Sequence, residues 1–393
     1  MAEPTVIAGL ARTAMGGMQG DLSDVAAPVL GSTAISGALS RAGIAPDAVD
    51  ETIMGCVLPA GLGQAPARQA SKGAGIPDAT PCTTINKMCG SGMKAIMLGH
   101  DALVAGSAGV IVAGGMESMT NAPYILPKVR GGMRLGHGEV LDHMFFDGLE
   151  DAYEKGRLMG SFAEECARKY EFTREAQDAY AIESLKRAQR AIERGQFVAE
   201  IEPVTVKTRK GEQVIDTDEQ PGKAQLDKIP HLRPAFAKDG TVTAANSSSI
   251  SDGGAAVVML SESRADQLGV KPVARILAHS SHAQAPGWFT TAPVKAIDKL
   301  MQQVGWSVGD VDLFEVNEAF AVVAMAAMHD LGIPHDKLNV RGGACALGHP
   351  IGASGARIVV TLVNALRDMG GKRGIASLCI GGGEATALAI ELA

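Results

Sequence analysis

The sequence predicts an α/β protein built from two similar βαβ halves. Short apolar runs of strand character alternate along the chain with longer segments of helical spacing, which is typical of largely parallel sheets covered by helices. An internal repeat supports the same architecture. Residues 89–96 open a helix and residues 109–115 follow as a strand that ends in glycines, and residues 352–359 and 374–382 repeat this pattern at nearly the same distance. Two such halves, packed about a pseudo-dyad, would bring equivalent loops face to face.

The composition fits this architecture and limits the partners. Of the 393 residues 46% are hydrophobic, 4% are aromatic and 48 are glycine, which favours tightly packed layers with close backbone turns. The net charge of −7 and the absence of a basic run argue against nucleic acid as a partner. The six cysteines show no CxxC pair or metal-ligand spacing, so we expect a reducing compartment, no disulfide framework and no metal site. With no visible signal peptide and no apolar run of about 18 residues, we expect a cytoplasmic protein without a membrane span.

The first half, residues 1–268, contains a regular part and a large insertion. Its regular elements are predicted as strands at 6–10, 52–54, 80–85, 110–115 and 253–260 and as helices at 25–42, 64–74 and 92–105. Residues 119–250 are rich in charge, proline and glycine, so we interpret them as an insertion without a core of its own. Within it, residues 160–194 are predicted as one or two amphipathic helices and residues 207–231 as a polar loop.

The second half, residues 269–393, returns to alternating apolar elements. Its predicted strands are 273–279, 313–316 and 375–379, and its predicted helices are 294–304, 319–331 and 352–369. The chain is therefore expected to form two domains of unequal length, of which the first carries the insertion.

Cys89 stands on a glycine-rich corner between a predicted strand and a predicted helix. Gly90 and Gly92 would let a ligand approach the backbone, and the helix N-terminus would lower the pKa of the thiol. The thiolate is the attacking form of cysteine, and an adjacent base would activate it. The alternative is a buried cysteine that fills the core without reacting.

Three further residues lie in the second half on loops that could face Cys89. His349 lies in a glycine-rich loop, and an imidazole has a pKa suited to a general base. Cys379 ends a strand before three glycines whose backbone N–H groups could form an oxyanion hole. Asn317 lies at a strand-to-helix corner. Each also has an ordinary structural interpretation, as a surface histidine, a core cysteine and a helix cap respectively.

Four stretches taken together resemble the motifs of the thiolase family. They are residues 86–92 (NKMCGSG), 317–320 (NEAF), 348–350 (GHP) and 379–383 (CIGGG). They occur in the family's order and separation, and the resemblance covers nearly the whole chain. It implies a layered α-β-α-β-α core formed by duplicated halves, with a loop-rich insertion in the first half.

The resemblance also implies a ping-pong acyl transfer between thioesters. Cys89 would carry the acyl group, His349 would take its proton, and Cys379 would exchange a proton with the α-carbon of acetyl-CoA. One oxyanion site would use His349 with a water held by Asn317, and the other would use the backbone N–H groups of Cys89 and Gly381. The implied reactions are thiolysis of 3-oxoacyl-CoA and the reverse Claisen condensation, with coenzyme A as substrate or product and with no metal or redox cofactor.

Five residues are expected near the substrate on the same resemblance. Ser248 matches a family serine near the pantetheine, and Phe320 closes the NEAF motif. Lys223 is a candidate for the coenzyme A phosphates, although a solvated loop charge is its simpler interpretation. Leu158 precedes Met159 at a position where many acetoacetyl-CoA thiolases have histidine. Its presence favours a broader range of 3-oxoacyl chain lengths, as in fatty acid β-oxidation.

Several alternatives remain open at this point. A strict acetoacetyl-CoA thiolase of biosynthetic type would carry the same motifs. A decarboxylating ketoacyl synthase typically has a second histidine in place of Cys379, and a non-catalytic acyl- or lipid-binding member would lack the reactive residues. A nicotinamide-dependent dehydrogenase is disfavoured because no G-x-G-x-x-G follows the first strand. The resemblance implies a dimer or a homotetramer, and the homotetramer would be a dimer of dimers joined through residues 121–143.

Overall fold

A computed structural model describes residues 3–209 and 211–393 of the chain. Most of the regular elements expected from the sequence are present. The strands are β1 (Thr5–Arg12), β2 (Gly16–Gly17), β3 (Glu51–Gly55), β4 (Cys82–Ile85), β5 (Val110–Ser118), β6 (Tyr124–Ile125), β7 (Leu141–Asp142), β8 (Val204–Thr208), β9 (Gly211–Ile215), β10 (Ser251–Ser261), β11 (Ala274–Ala283), β12 (Leu313–Val316), β13 (Arg373–Ile380) and β14 (Glu384–Leu392).

The α-helices are α1 (Ala27–Ala42), α2 (Pro66–Gly73), α3 (Ser91–Val104), α4 (Met159–Lys169), α5 (Arg174–Glu193), α6 (Glu219–Lys223), α7 (Glu262–Leu268), α8 (Ala292–Val304), α9 (Ala321–Leu331), α10 (Ala344–Leu347) and α11 (Ile351–Met369). The insertion holds α4 to α6, and α9, α10 and α11 follow one another between β12 and β13. None of the helices in the described part of the chain is long and apolar enough to cross a membrane.

The main sheet repeats one strand pattern on either side of its centre. Its order is β12-β13-β14-β11-β1-β10-β5-β3-β4, and β2 pairs with β10 as a tenth strand. The antiparallel pair β1–β11 joins the halves. Next to β1 lie β10 and then β5, and next to β11 lie β14 and then β13. Each of these four strands is antiparallel to its neighbour on the side of the centre. The next strands, β3 and β12, are parallel to β5 and β13.

The expectation of largely parallel sheets is therefore wrong. Only the outer pairs β3–β4, β3–β5 and β12–β13 are parallel. The connection between β13 and β14 is only three residues long, and so short a link can join antiparallel strands but not parallel ones. The duplication is present, but each half ends in a strand that turns back.

The helices complete the five layers expected from the resemblance. The first part of the sheet consists of β1, β10, β5, β3 and β4, and the second part consists of β11, β14, β13 and β12. α3 and α11 pack against each other between these two parts, because α3 contacts β5 and β14 while α11 contacts β13 and β5. α1 and α2 cover the outer face of the first part, and α8 and α9 cover the outer face of the second. The α-β-α-β-α core is thus confirmed, with α3 and α11 as its central layer.

Two glycines of the repeat allow the central helices to touch. A Cβ atom on Gly92 would lie 2.8 Å from the backbone nitrogen of Ala356, and one on Gly355 would lie 2.4 Å from the backbone nitrogen of Met93. Each helix therefore packs its first turn against the backbone of the other, which any side chain at these positions would prevent. The close crossing brings the loop before α3 and the loop before α11 to the same place.

Two local predictions were wrong. Residues 207–231 are not only a loop, because β8 and β9 form an antiparallel hairpin there. Charged side chains on the exposed face hid its alternation, and only Val204, Val206 and Ile215 are buried. The strand β14 was not expected from the sequence. Its alanines have a low strand propensity, and it is a strand because it is buried between β13 and β11.

Candidate active site

A cavity of about 610 Å³ opens where the first turns of α3 and α11 meet the insertion. Cys89, His349 and Cys379 all line it, as the packing of the two halves led us to expect. Aromatic and aliphatic side chains supply most of the remaining wall. They include Phe145, Phe146, Leu149, Leu158, Met159, Phe236, Phe289, Phe320 and Ile351.

Cys89 sits on a tight turn between β4 and α3. Met88 has a φ of 47°, in the left-handed region that a methionine rarely adopts. The turn is closed by Ser91, whose hydroxyl donates to the carbonyl of Met88 at 2.6 Å and accepts from the N–H of Lys87 at 2.9 Å. The strain is therefore held on the residue before Cys89, and the thiol is presented at the helix N-terminus toward the cavity.

The pKa of Cys89 differs from the sequence-based expectation. Burial raises it to about 11, although the backbone N–H of Gly381 and its own backbone N–H pull it down. The expected lowering by the helix N-terminus is thus outweighed by desolvation, which penalises the thiolate. At neutral pH Cys89 is a neutral thiol that needs a base when it attacks.

His349 is buried against the first turn of α11. Its Nδ1 lies 2.5 Å from the hydroxyl oxygen of Ser354, and that hydroxyl also donates to the carbonyl of Pro350 at 3.0 Å. With the hydroxyl proton on the Pro350 carbonyl, the oxygen accepts from His349, and this arrangement places the ring proton on Nδ1. Nε2 then carries the lone pair that can take a proton from Cys89.

Asn317 lies beneath the imidazole and outside the cavity lining. Its Nδ2 is 3.5 Å from both ring nitrogens of His349, and its Oδ1 accepts from Nη2 of Arg357 at 3.4 Å. Arg357 therefore fixes which end of the amide faces the histidine. Burial and the charge of Arg357 together lower the pKa of His349 to about 3, so the imidazole is neutral at pH 7.

Arg357 is itself buried in the central layer and faces Glu315. Nη1 of Arg357 and Oε2 of Glu315 are 3.6 Å apart, and 1% and 2% of their side-chain surfaces are exposed. Burial raises the pKa of Glu315 to about 8 even though Arg357 opposes the change. The pair is thus poorly solvated, and Arg357 also donates a hydrogen bond to the Asn317 amide.

Cys379 ends β13 directly beside the Cys89 corner. A Cβ atom on Gly90 would lie 2.4 Å from Cδ1 of Ile380, so the two segments are in contact. The β13–β14 turn contains Gly382 and Gly383 at φ 93° and 88°, which a residue with a Cβ would adopt only with strain. Burial raises the pKa of the Cys379 thiol well above its usual range, and the nearby Cys89 adds to this effect.

The proposed substrate residues divide into two groups. Ser248, Leu158, Met159 and Phe320 line the cavity, and the Ser248 hydroxyl donates to the carbonyl of Ala319 at 3.0 Å. Lys223 does not. Its ammonium is paired with Glu219 on the same short helix, and the residue lines a second recess of about 370 Å³, which shares Ala244 and Ser249 with the cavity wall.

Two family models match this chain over nearly its whole length. The model described as the thiolase N-terminal domain matches residues 5–263, and the one described as the thiolase C-terminal domain matches residues 270–392. The chain belongs to the thiolase family.

Individual thiolases agree with this assignment. Acetyl-CoA acetyltransferase 2 of Arabidopsis thaliana is 50% identical and covers 98% of this chain and 96% of its own. The Bacillus anthracis acetyl-CoA acetyltransferase superposes with a TM-score of 0.97 at 41% identity, covering 100% of this chain and 99% of its own. The Acat5 thiolase of Ascaris suum, solved in complex with coenzyme A, superposes with a TM-score of 0.94 at 42% identity over the full length of both chains. The predicted thiolase fold and acyltransferase class are confirmed.

Sequence reasoning missed several residues that support the thiolase site. Ser354 was noticed only as part of the repeat, and its position five residues after His349 could have indicated a partner for the ring. Arg357 and Glu315 lie in segments that are otherwise apolar, and a charged residue in a buried helix or strand is a usable signal. The strained turn at Met88 has no signal in its residue type.

Proposed function

We propose that this thiolase catalyses the reversible thiolysis of 3-oxoacyl-CoA through an acyl group carried on Cys89. The observation that supports the proposal most strongly is the meeting of two thiols and one neutral imidazole in a single cavity. With two thiols in one cavity, one cysteine can hold the acyl group while the other exchanges a proton with the substrate. The same arrangement, run in reverse, condenses two acyl thioesters.

In the first half-reaction Cys89 attacks the 3-oxo carbon of the substrate. Its proton moves to Nε2 of His349 as the carbon–sulfur bond forms, because neither group is ionised beforehand at pH 7. The bond between C2 and C3 then breaks, and the enolate of acetyl-CoA takes a proton from Cys379. The products are acetyl-CoA, the Cys89 thioester, an imidazolium and a Cys379 thiolate.

In the second half-reaction the Cys379 thiolate takes the thiol proton of the incoming coenzyme A. The coenzyme A sulfur attacks the Cys89 thioester, and His349 returns its proton to the leaving Cys89 sulfur. All three groups regain their starting protonation. A Cys379 thiol with a raised pKa suits this exchange, since the thiolate formed is a strong base.

Two sets of donors would stabilise the oxyanions. The backbone N–H of Gly381 points toward Cys89 and suits the thioester oxygen of the acyl-enzyme. Asn317 would hold a water beside His349 for the enolate oxygen, and Arg357 leaves the amide N–H free for that purpose by taking its oxygen.

Coenzyme A would enter past the insertion. Ser248, Phe320 and Met159 line the same cavity as the reactive groups, and the Ascaris suum thiolase was solved with coenzyme A bound. Lys223 is a poor candidate for the phosphates because Glu219 already neutralises it.

The accepted acyl chains would extend beyond acetoacetyl. Leu158 supplies an apolar side chain to the wall, and Phe145, Phe146 and Leu149 continue an apolar surface next to it. This supports a degradative range, as in fatty acid β-oxidation. The alternative of a strict acetoacetyl-CoA thiolase is suggested by the acetyl-CoA acetyltransferase names of the relatives.

The assembly would be a dimer of dimers joined through the insertion. Between residues 121 and 143 large apolar side chains are exposed to solvent, and β6 and β7 form a small hairpin at the base of this segment. Tyr124 is 69% exposed and Leu135 is fully exposed, which is costly unless another subunit covers them.

The chemistry is tested by trapping the acyl group. The enzyme is mixed with acetyl-CoA, digested and examined by mass spectrometry, with an acetylated Cys89 peptide as the expected product. An unmodified Cys89 peptide in an enzyme that still cleaves acetoacetyl-CoA would refute the proposal. Chain length is tested by kcat/KM for thiolysis of 3-oxoacyl-CoA from four carbons upward, and activity confined to four carbons would favour the strict acetoacetyl-CoA enzyme.

A further inference from the structure

A second cluster of reactive side chains lies far from the cavity. His100 and Asp101 are in the last turns of α3, and His279 projects from β11. One possible ligand atom from each residue lies within 4.8 Å of the others. His100 is eleven residues beyond Cys89, which corresponds to about 16 Å along a helix, so the acyl-transfer chemistry does not use this cluster.

The first observation that singles out the cluster is an unsatisfied nitrogen. Nδ1 of His100 is buried and has no hydrogen-bond partner. A buried polar atom without a partner costs stability, and most such atoms in proteins are paired with protein or solvent groups. Nδ1 of His100 therefore has an unused lone pair or proton, on a ring that belongs to the cluster.

The second observation is the arrangement of the two imidazole rings. Their centroids are 5.4 Å apart and their planes are inclined by 87°. Two imidazoles bound to one tetrahedral metal ion with metal–nitrogen distances of about 2.0–2.1 Å have centroids about 5 Å apart. Nε2 of His279 and Oδ1 of Asp101 are joined by a hydrogen bond of 2.8 Å, which a cation bound between the two groups would replace.

The donor set limits the type of cation. Two imidazoles and one carboxylate suit zinc, nickel and copper, whereas calcium and magnesium prefer oxygen ligands. Asp101 has 53% of its side chain exposed, so water has access to complete the coordination. No sequence pattern indicates this site, because His279 is remote from the other two residues along the chain.

We propose that His100, Asp101 and His279 bind a divalent transition-metal cation of the zinc type. Two ligands come from the central helix of the first half and one from the first strand of the second half. The cation would therefore link the two halves, and its binding energy would oppose their separation. The site is structural and leaves the acyl transfer unchanged.

The proposal is tested with ZnCl₂ and CoCl₂ on the full-length protein after chelator treatment. Equilibrium dialysis should give one zinc per chain in the wild type. Co²⁺ should give visible bands of tetrahedral coordination without the ultraviolet thiolate charge-transfer band that cysteine ligands produce. The matched control is His282→Gln, because His282 lies on the same strand and pairs with Gln284 instead.

His100→Gln and His279→Gln should each weaken zinc binding by at least about tenfold and remove the rise in melting temperature that zinc gives the wild type. His282→Gln should bind like the wild type. Asp101→Asn, a change at an exposed side chain, serves if a histidine variant does not fold, and it should also weaken binding. Absence of zinc binding by the wild type, a cobalt spectrum with thiolate bands, or unchanged binding in the Asp101→Asn variant would overturn the proposal.

Discussion

The first turns of α3 and α11 are equivalent parts of the duplication, but their serines have different roles in the site. Both carry a serine and a glycine in matching positions, Ser91 with Gly92 and Ser354 with Gly355. The glycines play the same role in each, since both let one helix touch the backbone of the other. The scaffold of the site is thus symmetric.

The serines show where the symmetry ends. Ser91 bonds to the backbone of its own turn and closes the corner that presents Cys89. Ser354 bonds to His349 and holds a base. The basic residues three positions after the two serines also differ. Lys94 is half-buried, whereas Arg357 is buried beside Glu315. The two halves share one backbone arrangement. The turn before α3 carries the nucleophile Cys89, whereas the loop before α11 carries the base His349.

The largest expected effect separates the two cysteines. Cys89→Ser should lower thiolysis and condensation together by at least about 10⁴-fold, because the acyl carrier is removed. Cys379→Ser should block carbon–carbon bond cleavage while still allowing acetylation of Cys89 by acetyl-CoA. Steady-state assays and mass spectrometry of the acyl-enzyme measure the two outcomes. A Cys379→Ser enzyme that does not become acetylated would show that the thiols do not have separate roles.

The symmetric glycines should give equal losses of stability. Gly92→Ala and Gly355→Ala each place a Cβ within 2.8 Å of the backbone of the facing helix. Overpacking of this kind costs about 1–3 kcal/mol of unfolding free energy, measurable by urea denaturation. Gly222→Ala is the matched control, because a Cβ there meets nothing within 4 Å, and it should be neutral. A large difference between Gly92→Ala and Gly355→Ala would break the symmetry.

The paired serines should separate catalysis from stability. Ser354→Ala frees the His349 ring to adopt the other tautomer, so kcat should fall roughly 10–100-fold with little change in KM. Ser91→Ala removes two hydrogen bonds of the corner, each worth about 1 kcal/mol, and should act mainly on unfolding free energy. Equal effects of the two variants on kcat would contradict the assignment of Ser354 to the base.

The smallest expected effect is a shift in pH dependence. With pKa values of about 3 for His349 and about 11 for Cys89, neither group titrates near neutrality, and the acylation rate should be level from about pH 5 to 9. Arg357→Met removes a positive charge that disfavours the imidazolium, so the pKa of His349 should rise and activity should fall off at a higher pH on the acid side. Lys94→Met should leave the profile unchanged. A rapid-quench pH series measures the effect.

Arg357→Met also leaves Glu315 buried without its partner. The double variant Arg357→Met with Glu315→Gln also removes the unpaired carboxyl group and tests whether any loss comes from misfolding. The upward shift of the acid limb should persist in the double variant, because it depends on the missing Arg357 charge. An acid limb that returns to its wild-type position would show that Arg357 does not act on His349 through its charge.

The duplicated α/β architecture, the thiolase family and the meeting of Cys89, His349 and Cys379 could all be predicted from the amino-acid sequence. These follow from patterns that are local in the chain, such as apolar runs, glycine corners and short motifs. The strand β14 and the β8–β9 hairpin could not be predicted, since both depend on which neighbouring elements bury them.

The tertiary structure alone decided the protonation of the site. Cys89 was expected to have a lowered pKa because a helix N-terminus favours an anion, but desolvation by surrounding protein outweighs that local field. Ser354 and Arg357 act on His349 and Asn317 only because α11 is buried from Ile351 to Leu366. Local sequence patterns can indicate which groups react, but the pKa values of those groups depend on how deeply the packed fold buries them and on which charges lie nearby.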